Sequence, residues 1–299
     1  MVAGLLFGPT AQVREVHMPE WWNNWGCCCG STPDSDSDDS ACPCACYTFN
    51  DTPNDNVGSL HLEGHYAAYD TGKLGKAAKF TGTQYFDREH ANCFVPQSTG
   101  INIWFWIHRA PPSGSGTGSG VGGPIEYVVS KGEWNDDTIA HSSGSNDCAF
   151  EGTWSIHSDP DEAGGVDDLY FTVAYENGCA HSWTFKSYEG SGSGEWVFIY
   201  IWYEPNAGIN GLGRASIIRN DTAVVDESTV DIAVEGIDMR KTCDEPLVVG
   251  KKLGASQSET VLIDNLGFCK DIGTKAEMTA RAAALYNSGN GVACNASGK

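Results

Sequence analysis

Residues 195–204 read EWVFIYIWYE, and their alternation decides the architecture. Successive side chains of a strand point to opposite faces. Trp196, Phe198, Tyr200 and Trp202 therefore share one face, and Val197, Ile199, Ile201 and Tyr203 share the other. A strand that is apolar on both faces belongs in the middle of a layered β structure, covered from both sides. Outward from it the chain repeats the same kind of text, short β-branched and aromatic runs separated by Gly, Asn, Asp and Ser. INIWFWIHR (101–109), IEYVVSK (125–131) and DLYFTVAYE (168–176) precede it. RASIIR (214–219), TVDIAVEG (229–236), PLVVG (246–250) and ETVLIDNLGFC (259–269) follow. PPSGSGTGSGVGGP (111–124) reads as a surface loop between two strands. One helix is expected near the C-terminus. Thr274 and Glu277 form a T-x-x-E capping box, Met278, Ala282 and Leu285 then recur on one face, and Asn287-Ser288-Gly289 stops the helix. The fold class is all-β, a β-sandwich with one short C-terminal helix as a lid.

Composition agrees and excludes partners. The 299 residues include 36 Gly, only 19% are charged, and 11% are aromatic, a turn-rich and aromatic-rich profile suited to β structure. With 18 Lys and Arg against 39 Asp and Glu, the net charge is −21. That balance argues against nucleic acid and against anionic membrane surfaces, both of which need a basic face. No run approaches the ~18 apolar residues of a membrane span. The opening apolar stretch, Val2 to Phe7, has no basic residue before it and lacks the form of a secretory signal. The expectation is a mature end carrying a new Met, or synthesis in a cytoplasm and exit by another route such as lysis.

The stretch WWNNWGCCCGSTPDSDSDDSACPCAC (21–46) shows neither strand nor helix period. Residues 1–56 are read as a Cys-rich N-terminal arm that docks onto something, and residues 57–299 as the sandwich. Of 12 cysteines, six fall in this arm: Cys27, Cys28, Cys29, Cys42, Cys44 and Cys46. Two readings are open for them. Close thiolates suit Zn²⁺ or an iron–sulfur cluster, whereas disulfides from the 27–29 group to the 42–46 group are as easily drawn. The spacing lacks the C-x₂-C of zinc knuckles, which ranks disulfides first. Cys93, Cys148, Cys179, Cys243, Cys269 and Cys294 are scattered. They are free buried thiols or up to three disulfides, with Cys269 and Cys294, which bracket the helix, the most suggestive pair.

Three stretches, in order, resemble the laminin-G-like and concanavalin A-like domains. NVGSLHLEGHYAAYDTGKLGKAAKFTGTQYFD (56–87) looks like their opening, INIWFWIHR like the next strand, and ETVLIDNLGFCKDIGTKAEMTARAAALYNSG (259–289) like their closing strand and helix. The resemblance implies a concanavalin A-like jelly roll over roughly 57–290, a fold that serves lectins, glycanases, adhesion modules and virion proteins. It also implies that Asp264 helps bind a structural Ca²⁺ together with backbone carbonyls. Here Asn265-Leu266 stands where relatives carry an acidic residue, and the other reading is an Asp that bonds neighbouring backbone N–H groups with no ion.

Catalysis finds no footing in the text. Retaining glycanases of this fold place two carboxylates on one strand face, about 5 Å apart. The nearest run, Asp231 to Glu235, separates its carboxylates by four positions and reads as the solvated face of a strand. No G-x-S-x-G, H-E-x-x-H or P-loop occurs. Exposed aromatics serve lectin-like sandwiches as sugar platforms, and Trp134 and Trp154, placed near turns, are the candidates. His61, His65, His90, His108, His141, His157 and His181 show no shared spacing and receive no role. The expectation is a non-enzymatic structural or recognition protein of a virion surface (a phage tail, fibre or decoration component). Its partners would be further copies, other structural proteins, glycans or a host surface. A secreted or cell-surface glycan-binding or adhesion module is the alternative, and a divergent glycan hydrolase the third.

Overall fold

The computed structural model describes residues 42–81, 83–96, 100–109, 126–132, 153–158, 168–175, 180–186, 195–207, 213–229, 245–250, 260–270 and 272–294. Two antiparallel sheets share the chain's strands. The first contains β1 (Ala45–Tyr47), β3 (Tyr69–Thr71), β4 (Lys76–Phe80), β6 (Ile101–Arg109), β11 (Val197–Glu204), β12 (Arg214–Arg219), β13 (Thr222–Thr229) and β15 (Val261–Cys269). Its order is β13-β12-β11-β6-β15-β4-β3, with β1 added against β15. The second contains β2 (Glu63–His65), β5 (Tyr85–Arg88), β7 (Glu126–Lys131), β8 (Trp154–Ser158), β9 (Asp168–Ala174), β10 (Ala180–Lys186) and β14 (Leu247–Val249), in the order β10-β9-β8-β7-β14-β5-β2.

The two apolar faces of 195–204 now have separate covers. β11 pairs with β6 so that Val197 meets Ile107, Tyr200 meets Trp104 and Tyr203 meets Ile101. Ile103, Phe105, Ile107, Val197, Ile199, Ile201 and Tyr203 enter the core that includes Phe86, Trp154, Phe171 and Trp183 of the second sheet. Trp104, Trp106, Phe198, Tyr200 and Trp202 form another cluster on the opposite face, with Met278, Ala282, Leu285 and Tyr286 of α1 (Lys275–Tyr286). The helix is thus the lid the sequence leads one to expect. Both halves of the capping box are present, and Asn287 closes the helix in the left-handed conformation that Asn tolerates.

β15 is buried throughout, and its bulge organises its surroundings. Its pairing with β6 shifts register between Asp264 and Gly267. Asp264 accepts from the Leu74 N–H at 2.7 Å and from the Asn265 side-chain amide at 2.9 Å. Asn265, at φ +50°, accepts from the Cys294 N–H at 2.9 Å. Two adjacent residues thereby pin the Gly72–Gly75 turn and the segment after the helix. Gly267 is required by the Trp104 ring, which lies 2.2 Å from where a Cβ would stand.

Several expectations are corrected. The sandwich does not begin at residue 57: Ala45, Cys46 and Tyr47 pair with Phe268, Gly267 and Leu266. The reason is covalent as well as hydrogen-bonded. Cys42 joins Cys269, Cys44 joins Cys93 and Cys46 joins Cys294. The expected pairing of Cys269 with Cys294 is therefore wrong, because β1 lies against β15, so that Cys46 within it and Cys42 just before it take the two partners. Cys42, Cys44 and Cys46 likewise hold no metal and do not pair with the 27–29 group, since their sulfurs are bonded elsewhere. Cys27, Cys28, Cys29, Cys148, Cys179, Cys243, the 111–124 loop and residues 230–236 lie outside the described residues, as do Asp231 and Glu235.

Candidate functional site

The strand register lays out the outer face of the second sheet. Glu63 sits opposite Asp87, Asp87 opposite Val248, and Val248 opposite Ser130. Ser130 then meets Ser155, Ser155 meets Thr172, and Thr172 meets Ser182. A second row runs beside the first, with His65 against Tyr85 at one end and Tyr127, His157, Tyr170 and Thr184 at the other. The alternate positions, among them Phe86, Val249, Ile156, Phe171 and Trp183, fill the core. The face opposite the core is therefore one row of hydroxyls and carboxylates and one row of aromatic and imidazole rings.

Accessibility varies along these rows. Ser130, Ser155, His157, Thr172, Tyr127 and Tyr170 are buried and satisfy one another in part. The Ser155 hydroxyl lies 2.9 Å from His157 Nδ1, the Thr172 and Ser182 hydroxyls 2.6 Å apart, and the His157 and Tyr170 rings stack at 5.6 Å. The β2–β5 end is open. His65 and Asp87 side chains are 31% and 29% exposed, Glu63 is exposed, and Tyr66 is 81% exposed. His65 stacks on Tyr85 at 4.2 Å with 11° between planes, and its Nε2 lies 3.0 Å from Asp87 Oδ1. The imidazole is thus fixed in orientation by a ring beneath it and a carboxylate beside it.

Tyr66 is unusual in two respects. It and Val292 are the large apolar side chains left exposed among the described residues. Its backbone has φ +55°, a region that bulky residues avoid at a cost on the order of 1–3 kcal/mol. An aromatic ring held in water on a strained backbone, directly after His65 at the open end of β2, has the chemistry of a saccharide platform. The ring face takes the sugar's apolar C–H surface.

The candidates read from the sequence fare differently. Trp154 is fully buried, with its indole N–H donating to the Phe94 carbonyl at 2.7 Å, so it offers no platform. Trp134 lies outside the described residues. Asp264 is buried and accepts from the N–H groups of Lys73, Leu74 and Asn265 and from the Asn265 amide, while burial pushes its carboxyl up to about 6. A shell of N–H donors does not suit Ca²⁺, which requires oxygen ligands, so the residues present do not fit the ion at this position. Among the described residues no three His, Cys, Asp or Glu side chains gather in a way that could hold a metal. The open corner was missed because it is built across strands, from 63–66 and 85–87. The readable trace was two i, i+2 pairs, Glu63 with His65 and Tyr85 with Asp87.

No family model and no curated protein sequence matches the chain. Solved structures do. The receptor-binding domain of botulinum neurotoxin type G superimposes with a TM-score of 0.53 at 12% identity, covering 81% of this chain and 51% of that one. The ligand-binding domain of botulinum neurotoxin serotype D, solved in complex with N-acetylneuraminic acid, gives 0.53 at 11% identity, covering 83% and 52%. The binding domain of Paraclostridial mosquitocidal protein 1 gives 0.51 at 14% identity, covering 77% and 48%. The chain thus spans about half the length of each of these structures. Likeness at such identities carries the fold, a sandwich of the kind found in binding domains.

Proposed function

We propose that this chain is a non-enzymatic recognition module that binds glycans at the open β2–β5 end, with the exposed Tyr66 ring as its platform. The observation that carries this reading is Tyr66, 81% exposed at φ +55°. Folding alone gives no reason to keep an aromatic ring there, whereas a sugar platform does. The comparisons support the reading in kind, since the similar domains are named for binding receptors or a ligand and one holds N-acetylneuraminic acid. Three disulfides among the described residues support work outside a reducing cytosol, on an extracellular or virion surface. In the virion form of the proposal, the chain is a tail, fibre or decoration component that touches host glycans.

A glycan microarray probed with the full chain and with Tyr66→Asn tests this. Asn tolerates the left-handed backbone, so the variant should fold while losing the ring. The expected result is a defined set of bound saccharides that drops at least ten-fold in the variant. An array on which nothing binds, or binding that the variant retains, overturns the proposal.

A further inference from the structure

The three disulfides of the described residues are not equivalent. In Cys44–Cys93 and Cys46–Cys294 both partners are buried, none of them more than 5% exposed. The polar neighbours of their sulfurs among the described residues are main-chain carbonyls, those of Cys93 and Leu266. Cys42–Cys269 differs at each end. Cys42, just before β1, is only partly buried. Cys269 is fully buried, yet it has a cation beside it, since Arg281 of α1 directs its Nη1 at the Cys269 Sγ from 3.3 Å.

Thiol–disulfide exchange needs one sulfur that can be reached and a second that can leave as thiolate, and a leaving thiol of lower pKa leaves faster. A neighbouring Arg lowers a cysteine's pKa, which opposes the rise that burial imposes on Cys269. We propose that Cys42–Cys269 is the redox-labile bond of the three, opened by an external thiol at Cys42 with Cys269 as the leaving thiolate held by Arg281. The incoming thiolate bonds to the Cys42 Sγ, the Cys42–Cys269 bond breaks, and its electron pair passes to the Cys269 Sγ. A second thiolate then attacks the external sulfur of the mixed disulfide and releases Cys42. Two external thiols are oxidised to one disulfide, and the protein's disulfide is reduced to two thiols. The change removes the covalent tie between β15 and the chain before Cys44. β1 stays in place through Cys44–Cys93, Cys46–Cys294 and its pairing with β15. The bond is thus a tether that a reducing medium opens without unfolding the sandwich.

The test exposes the oxidised full chain to graded reduced glutathione, blocks free thiols with N-ethylmaleimide at timed intervals and maps them by peptide mass spectrometry. Cys42 and Cys269 should be labelled at glutathione levels that leave Cys44–Cys93 and Cys46–Cys294 intact, and the mixed disulfide should carry glutathione on Cys42. Arg281→Gln should slow this opening about three-fold, and Arg281→Lys, which keeps the charge, should retain most of the rate. Cys46–Cys294 packs beneath the same helix, so a variant that merely loosened the helix would speed its opening, whereas the proposal leaves that rate unchanged. Another of the three bonds opening first, glutathione found on Cys269 instead of Cys42, or an Arg281→Gln rate at or above that of the parent overturns the proposal.

Discussion

Tyr66 keeps its ring in water on a backbone conformation that costs stability, and the two facts can be separated by substitution. Tyr66→Asn relieves the left-handed strain and removes little packing, so its melting temperature should match or exceed that of the parent while saccharide binding falls. A marked loss of stability would instead give the ring a structural role. Asp264 makes a pH prediction. Its carboxyl is pushed to about 6 by burial, from an ordinary 3.8. The native state therefore holds a proton that the unfolded chain has released between those values, and stability declines as pH rises from about 4 to about 6, by about 3 kcal/mol at 1.36 kcal/mol per unit. Urea unfolding at pH 4.5 and 7 should show about 2 kcal/mol of this decline, and Asp264→Asn should flatten it. Because the donors around Asp264 are N–H groups, EDTA should leave the melting temperature unchanged; a drop would restore a structural cation.

At the scale of elements, β1 and the residues just before it are held by three covalent links. Cys46 and Cys294 are 248 positions apart in the sequence, but Cys42–Cys269 already ties the same two segments, so their bond adds a loop of roughly 30 residues. Replacing Cys46 and Cys294 with Ala should cost about 2–4 kcal/mol in denaturant unfolding. The helix offers a second check. Met278 is fully buried beneath the aromatic face of β6 and β11, and Met278→Ala should cost about 2–5 kcal/mol. These elements differ in how well the sequence announced them. β6, β11, β12 and β15 are long or doubly apolar, and the helix carries its capping box, so each was legible. β1 was not, because three residues among cysteines have no period, and its place is set by bonds to residues hundreds of positions away. β8 and β10 alternate aromatic with Ser, His or Thr, a weaker signal than a continuous apolar run.

Across the whole molecule, the first sheet is spent on structure, with the second sheet on one face and the helix on the other. On the reading proposed above, recognition falls to the outer face of the second sheet, where polar and aromatic rows meet and the β2–β5 end opens to solvent. The sequence pointed to Trp residues for that task, since aromatic bulk is visible in one dimension. Trp154 went to the core, and the exposed ring proved to be a tyrosine at the end of a three-residue strand, a segment too short to show a period. Ring-selective NMR of the tyrosines, with Tyr66 assigned by its loss in Tyr66→Asn, tests the central claim most directly. Titration with the saccharide best bound on the array should shift the Tyr66 ring signal saturably and ahead of the buried tyrosines. A bound saccharide that leaves the Tyr66 signal in place would contradict the account.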